Sequence, residues 1–254
     1  MNKVTIDRLN QLNKDFYKSV ADDFNESRNY FWQGWTRVSE SIKNTLGDRK
    51  ISVLDIGCGN GRFAKFLEEE KIEFKYYGLD SSKKLLNLAS KQASLKTETQ
   101  FEQFDIIEQL ENDNFSKFFK EKKINNKFDL IVSFGVLHHI PSFNLRKKFL
   151  SSMNDKLSDD GIIVITAWQF LDNPKLKERL INFDKVGIEK DEVEENDYLL
   201  DWRRGEQAIR YCHYTDTEEM NNLIKDSNLE IIEKYKADSK TNNLNQYYLL
   251  KKKK

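Results

Sequence analysis

Ile51-Ser52-Val53-Leu54-Asp55-Ile56-Gly57-Cys58-Gly59-Asn60-Gly61, with Arg62-Phe63-Ala64-Lys65-Phe66-Leu67 behind it, decides the fold. An apolar, β-branched run stops at three glycines, and an amphipathic helical pattern begins at once, which predicts a strand, a tight turn and a helix. Glycine lets the backbone take positive φ and lets a ligand lie against it, while the helix N-terminus offers unpaired N–H groups. Arg62-Phe63 stands where a P-loop would need Lys-Ser/Thr. Phe74-Lys75-Tyr76-Tyr77-Gly78-Leu79-Asp80 predicts a second strand ending in an acid. Asp80 follows Gly57 by a little over twenty residues, the spacing that brings a carboxylate to a ribose diol. Dinucleotide and adenosyl enzymes share that device, but Gly57, Gly59 and Gly61 do not follow the dinucleotide glycine order.

Outward from this unit, strands and helices alternate. Helices are expected at 61–70, 82–94 and 143–157, and strands at 74–79, 99–104, 128–134 and 162–166, with Ser158-Asp159-Asp160-Gly161 as the turn before the last. Residues 108–127, charged and Asn-rich, read as an outer helix carrying Phe115, Phe118 and Phe119. This order predicts an α/β protein built on a doubly wound, mostly parallel sheet, with its site at the carboxyl ends of the strands. Thr215 or Thr217 can cap a helix bearing Met220, Leu223 and Ile224. Strands at 229–235 and 245–250 finish the chain as an antiparallel hairpin. Before the sheet, residues 1–47 read as a helical appendage; its aromatic residues either dock it on the sheet or form a lid over the ligand loop. The main domain is 48–254, with a substrate-side insertion around 170–214.

A chain of 254 residues can bury roughly 70–75% of its unfolded surface without disulfides or metals. Cys58 and Cys212 are its two cysteines, so no disulfide framework is expected, and their spacing does not suit a closed zinc site; no metal is expected. No run approaches the about 20 apolar residues of a membrane helix, and no signal-peptide core follows Met1, so no membrane association and a cytoplasmic location are expected. Lys+Arg and Asp+Glu are both 42. That balance carries no global signature of nucleic-acid binding, although charges can segregate by face.

The segment from Asp55 to Gly61 resembles motif I of class I S-adenosylmethionine-dependent methyltransferases. The resemblance implies a seven-stranded, Rossmann-like sheet and an S-adenosyl-L-methionine site assembled from four strand tips. Gly57, Gly59 and Gly61, with Asn60, would contact the methionyl and ribose parts, and Asp80 with Ser81 the ribose hydroxyls. Asp105 and the N–H of Ile106 would read the adenine edge, Phe134 and Val136 would border the sulfonium, and Asp55 would orient the loop or meet the ammonium group. His138 and His139 lie at the fourth strand tip, where they pack and cap backbone or face an acceptor. Arg210 and His213, among Trp202, Tyr211 and Tyr214, form either local salt bridges with Glu206 or Asp216 or a cationic clamp with stacking surfaces.

Several pieces together resemble the tRNA wobble-uridine methyltransferases that esterify the carboxylate of 5-carboxymethyluridine. These are the opening helix from Phe16 to Arg28 with Trp32, the Ser133–His139 strand tip, Ala167-Trp168-Gln169, and Arg210-Tyr211-Cys212-His213-Tyr214. Cys212 departs from the usual Tyr. The resemblance implies a tRNA substrate and a small zinc-binding activator subunit as partner. It implies catalytic roles for Arg210, His213 and His138, and substrate contacts from Arg28, Tyr30, Trp32, His139, Trp168, Trp202, Tyr211 and Tyr214. A small-molecule O- or N-methyltransferase using His138 or His139 as base, and a non-catalytic adenosyl-binding partner, are the alternatives.

Overall fold

In the computed structural model, which describes residues 1–26, 30–92, 98–124, 126–202 and 208–253, the run Ile51–Ile56 is a strand buried along nearly all its length. Helices α1 (Lys3–Glu26) and α2 (Trp35–Leu46) precede it, and the strand itself is β1. The chain alternates through α3 (Arg62–Glu69), β2 (Phe74–Asp80), α4 (Lys83–Gln92), β3 (Glu98–Gln103), α5 (Ile106–Glu111) and α6 (Phe115–Glu121). It continues through β4 (Phe128–Ser133), α7 (Phe143–Lys156) and β5 (Leu157–Trp168). An excursion of short helix α8 (Pro174–Lys177) and strands β6 (Leu180–Ile181), β7 (Asp197–Trp202) and β8 (Ala208–His213) follows. Helix α9 (Thr217–Asp226) and strands β9 (Leu229–Ala237) and β10 (Asn245–Lys252) close the chain.

The main sheet has seven strands in the order β3-β2-β1-β4-β5-β10-β9. Strands β1 to β5 pair in parallel, and β10 runs antiparallel to both β5 and β9. Alternation along β1 sends Val53 to a core shared with α2 and α3, and Leu54 and Ile56 to one shared with α5, α6, α7 and α9. A sheet covered on both faces needs strands that are apolar almost throughout, which is why β1 reads as a continuous run. Strand order reverses between β1 and β4, so a crevice opens at their carboxyl ends. Among the described residues, no helix is long and apolar enough to cross a membrane.

Three local expectations are revised. The charged segment expected as one outer helix is two, because Asp113 takes positive φ (53°) between α5 and α6. Ser158 to Gly161 do not reverse the chain: they lie within β5, and its register with β4 shifts between the pairs Phe128–Leu157 and Leu130–Ile162. Helix α9 is capped by Asp216, whose carboxylate accepts from the Glu219 N–H at 2.8 Å, and not by either threonine.

Helix α1 packs as core and cover at once. Leu9 joins Ile188, Leu199 and Tyr211, and Phe16 meets Trp202 edge-on at 5.6 Å. Helix α2 is pinned to the C-terminal hairpin: the buried Asp238 carboxylate accepts from the Gly34 N–H at 3.0 Å, Asn245 Nδ2 at 2.8 Å and the Tyr247 hydroxyl at 2.7 Å.

An ionic cluster ties the excursion to the main body. Arg146 on α7 is 1% exposed and donates to Glu219 at 2.7 Å, Glu194 at 2.6 Å and the Ile140 carbonyl at 3.0 Å. His213 at the end of β8 places Nδ1 2.7 Å from Asp197 and Nε2 2.6 Å from Glu219. Burial by itself would lower the His213 pKa, but hydrogen bonds to the two carboxylates outweigh it and raise it.

Removing one partner of a buried ionic group leaves uncompensated charge, so Arg146→Ala should cost about 3–5 kcal/mol, read from urea denaturation. The ionised imidazolium is favoured by folding, so its contribution is complete below the ordinary histidine value of about 6.5 and is lost as pH rises through the higher folded value. Denaturation midpoints measured across that range should therefore fall more steeply with pH in the wild type than in His213→Gln.

Candidate functional site

The glycine turn after β1 is held by β2: the Gly57 and Cys58 N–H groups both donate to the Leu79 carbonyl, at 2.7 and 3.0 Å. Gly57 has φ +83°, and a Cβ there would lie 2.1 Å from a Val136 methyl, so the turn passes directly under the β4 tip. A Cβ on Gly59 (φ +56°) would meet nothing within 4 Å, leaving its backbone face open. The Gly59 N–H donates to Asp80 Oδ2 at 2.9 Å and the Ser82 N–H to Asp80 Oδ1 at 2.8 Å. Burial pushes the Asp80 pKa up, and these two N–H groups oppose it.

Two cavities flank this turn, one of about 140 Å³ and one of about 400 Å³. They share Tyr17, Gly57, Gly59, Phe134 and Gly135 as walls, so they form one cleft with a waist. The smaller chamber gathers Asp80, Ser81, Asp105, Ile106 and Val136. Helix α1 covers it with Asn10, Asn13, Lys14 and Tyr17. Asp105 caps α5 by accepting from the Ile107 and Glu108 N–H groups, and also binds Asn10 and Lys14 of the cover. The carboxylate assigned to an adenine edge is thus also a latch for α1.

His139 completes that latch. His139 Nδ1 lies 3.1 Å from the Tyr211 carbonyl and 3.2 Å from Asn13 Nδ2, and its Nε2 lies 2.7 Å from the Tyr17 hydroxyl. Burial, aided by the Arg210 charge, lowers the His139 pKa to about 3, so the ring is neutral at pH 7. His138, His139 and Cys212 bring potential metal-ligand atoms within 4.8 Å of one another, but both His139 nitrogens already hold hydrogen bonds that an ion would displace.

The larger chamber takes Asp55, Asn60, Trp32, His138, Trp168, Trp202 and Arg210 from the residues singled out in the sequence. Asp55 is fully buried and accepts from the Tyr76 hydroxyl; burial raises its pKa to about 7. Arg210 is 9% exposed, with its guanidinium carbon 4.4 Å from the Trp168 ring centre, 5.3 Å from Phe16 and 6.0 Å from Trp202. Among the described residues it has no carboxylate, carbonyl or hydroxyl partner. Four cations, Arg62, Lys175, Arg179 and Arg210, line this chamber against one acid, Asp55.

Other expected contacts do not reach the cleft. Successive residues of a strand face opposite ways, so Arg210 and Cys212 face one side of β8 while Tyr211 and His213 face the other. The Tyr211 hydroxyl is buried on Asp197, and His213 is held between Asp197 and Glu219. A clamp made by Arg210 and His213 together is therefore ruled out, and Tyr211 serves through its backbone, its carbonyl beside His139 and its N–H donating to Asn13 Oδ1 at 2.9 Å. Tyr214 packs edge-on against Phe170 at 5.5 Å and points its hydroxyl at Gln169. Tyr30 is 66% exposed and contributes only its carbonyl, to Arg62 at 2.7 Å. Arg28 lies outside the described residues. The polar stripe Asn10-Asn13-Lys14-Tyr17, spaced at i, i+3, i+4 and i+7 on α1, was the available signal for the cover; Asn173, Lys175, Leu176 and Arg179 gave none.

A family model described as a methyltransferase domain matches residues 24–234. A protein of Encephalitozoon cuniculi described as a methyltransferase is 26% identical over 221 residues, 86% of this chain and 87% of that protein. The tRNA (carboxymethyluridine(34)-5-O)-methyltransferase of Arabidopsis thaliana is 26% identical over 152 residues, 60% of this chain; the match spans 31% of the plant protein's length. An S-adenosylmethionine-dependent methyltransferase from Clostridium acetobutylicum superposes with TM-score 0.63 at 17% identity, covering 96% of this chain and 99% of that one, a likeness of fold.

Asp80→Asn should weaken S-adenosylhomocysteine binding by roughly 10–100-fold in calorimetry, the loss of a charged hydrogen-bond acceptor worth about 1.5–3 kcal/mol. An unchanged affinity would remove Asp80 from the ribose role.

Proposed function

The chain belongs to the methyltransferase-domain family, and from that premise we propose that it methylates the carboxylate of 5-carboxymethyluridine at the tRNA wobble position, using S-adenosyl-L-methionine. The cleft's donor set suits that cofactor: an open backbone cradle at Gly59, a buried carboxylate at Asp80 and a covered chamber ending at Asp105 and Ile106. When bound, it supplies an electrophilic methyl group on a sulfonium with a neutral thioether as leaving group. Phe134 and Gly135, at the waist, divide a chamber for the adenine and ribose from a larger acceptor chamber, whose Asp55 and Asn60 side would take the methionyl end of the cofactor.

The observation that carries the acceptor class is the Arg210 guanidinium, nine-tenths buried among aromatic rings with no anion of the described chain beside it. A desolvated cation is costly unless paired, so an anionic acceptor is the chemistry that completes the chamber. Its planar fork suits a carboxylate, and Trp168 and Trp202 offer faces for a base. A carboxylate is already ionised at neutral pH and needs no general base. Neutral His139, hydrogen-bonded at both nitrogens, therefore positions the cover and moves no proton. The work left to the chain is orientation: holding acceptor oxygen and methyl carbon in line while aromatic walls exclude water.

The test incubates the protein with labelled cofactor and total tRNA, with and without a small zinc-binding activator subunit, and identifies the modified nucleoside by mass. An alkali-labile methyl ester is expected; an alkali-stable product, or transfer only to a metabolite extract, would overturn the reading. Arg210→Ala should lower kcat/KM for the acceptor by at least about 30-fold, from the roughly 2–5 kcal/mol lost with one partner of a buried charged pair. S-adenosylhomocysteine affinity should stay within about threefold. Equal loss of both would reject the assignment of Arg210.

A further inference from the structure

We infer that Lys175 and Arg179 form a phosphate-binding rim, which takes the phosphodiester groups of a single strand on either side of the base that enters toward Arg210. The inference rests on the acceptor being a nucleotide and adds a contact that a free nucleoside or small acid would leave unused.

Both residues line the acceptor chamber, although the side chain that anchors its interior is Arg210. Their backbone is fixed relative to that anchor. Asn173 caps α8 by accepting from the Lys175 N–H at 3.0 Å, and the Asp201 N–H of β7 donates to the Arg179 carbonyl at 2.9 Å. Strand β7 in turn pairs with β8, setting Leu200 against Arg210. Arg179 immediately precedes β6, which pairs with β7, so the small antiparallel sheet links the backbone of the rim to that of the buried guanidinium.

Their charge is also uncommitted. Part of this lysine-rich surface is paired, with Lys43 on Glu70, Lys122 on Glu102, Lys148 on Asp113 and Lys236 on Asp172, while other lysines such as Lys65 and Lys225 have no acid partner among the described residues. What sets Lys175 and Arg179 apart is their place on the chamber wall. Among the described residues the side chains of Lys175 and Arg179 have no such partner. With 42 basic and 42 acidic residues overall, the surplus here is local: four cations against the buried Asp55. The aromatic walls accept an unstacked base, whereas phosphates keep their hydration and stay at the mouth, within reach of flexible cationic side chains.

The experiment measures anisotropy of a labelled single-stranded RNA carrying a central 5-carboxymethyluridine, on protein saturated with S-adenosylhomocysteine, between about 50 and 200 mM salt. Replacing both residues, K175A/R179A, should weaken binding about tenfold and lower the slope of log Kd against log salt by about 1.4, or about 0.7 for each lost phosphate contact. The charge-conserving K175R/R179K should retain both values. Affinity for the isolated 5-carboxymethyluridine nucleoside, read by calorimetry, should change less than twofold in K175A/R179A. An unchanged salt slope, or equal weakening for the nucleoside, would overturn the rim. The two readings fail separately: ester formation with an unchanged slope rejects the rim alone, and a reduced slope without ester formation rejects the proposed reaction alone.

Discussion

The hydrogen bond from the Gly59 N–H to Asp80 is the constraint on which the cleft depends. It joins the tip of β1 to the tip of β2, the two strands that start the sheet's first half. It depends on a turn in which Gly57 places no side chain under Val136 and Gly59 holds a positive φ of 56° that glycine adopts freely. The same bond keeps a carboxylate buried at a place where solvent would otherwise be the better partner. Two backbone N–H groups offset part of the cost of burial, and the turn is held open toward a ligand as a result.

Helix α1 shows how one element is both core and cover. Leu9 and Phe16 are buried against the insertion, while Asn10, Asn13, Lys14 and Tyr17 close the smaller chamber. Two polar latches hold the helix down. Asn10 and Lys14 meet Asp105, and Tyr17 meets His139, whose other nitrogen is fixed by the Tyr211 carbonyl. The cover therefore reads the state of strand tips from β3, β4 and β8 together. A ligand reaching Asp105 would compete with the first latch, which couples cofactor access to the seating of α1.

Much of this was legible in the sequence. The apolar run of β1, the glycine turn and Asp80 needed only local chemistry, because buried parallel strands and positive-φ turns restrict residue type at each position. The split of the outer helix at Asp113 was not legible, since Asn112-Asp113-Asn114 reads equally well as solvated helix. Nor was the fate of His213. Its spacing from Arg210 suggests a pair until the segment is known to be a strand, after which the parity of three separates them.

The sequence by itself determined the sheet and the adenosyl-type turn, because each is set by neighbours a few residues apart or by a spacing that strand and helix lengths dictate. The rings around Arg210 were not so set, since Phe16 and Trp168 arrive from distant segments. Only the tertiary structure decided which charges are spent and which remain available. Arg146 and His213 are neutralised by carboxylates from Glu194, Asp197 and Glu219, brought together from distant parts of the chain. Arg210, three strand positions before His213 and facing the opposite way, meets only rings. Pairing of charges depends on distance in space, and distance in space is what a linear pattern of basic and acidic residues does not contain.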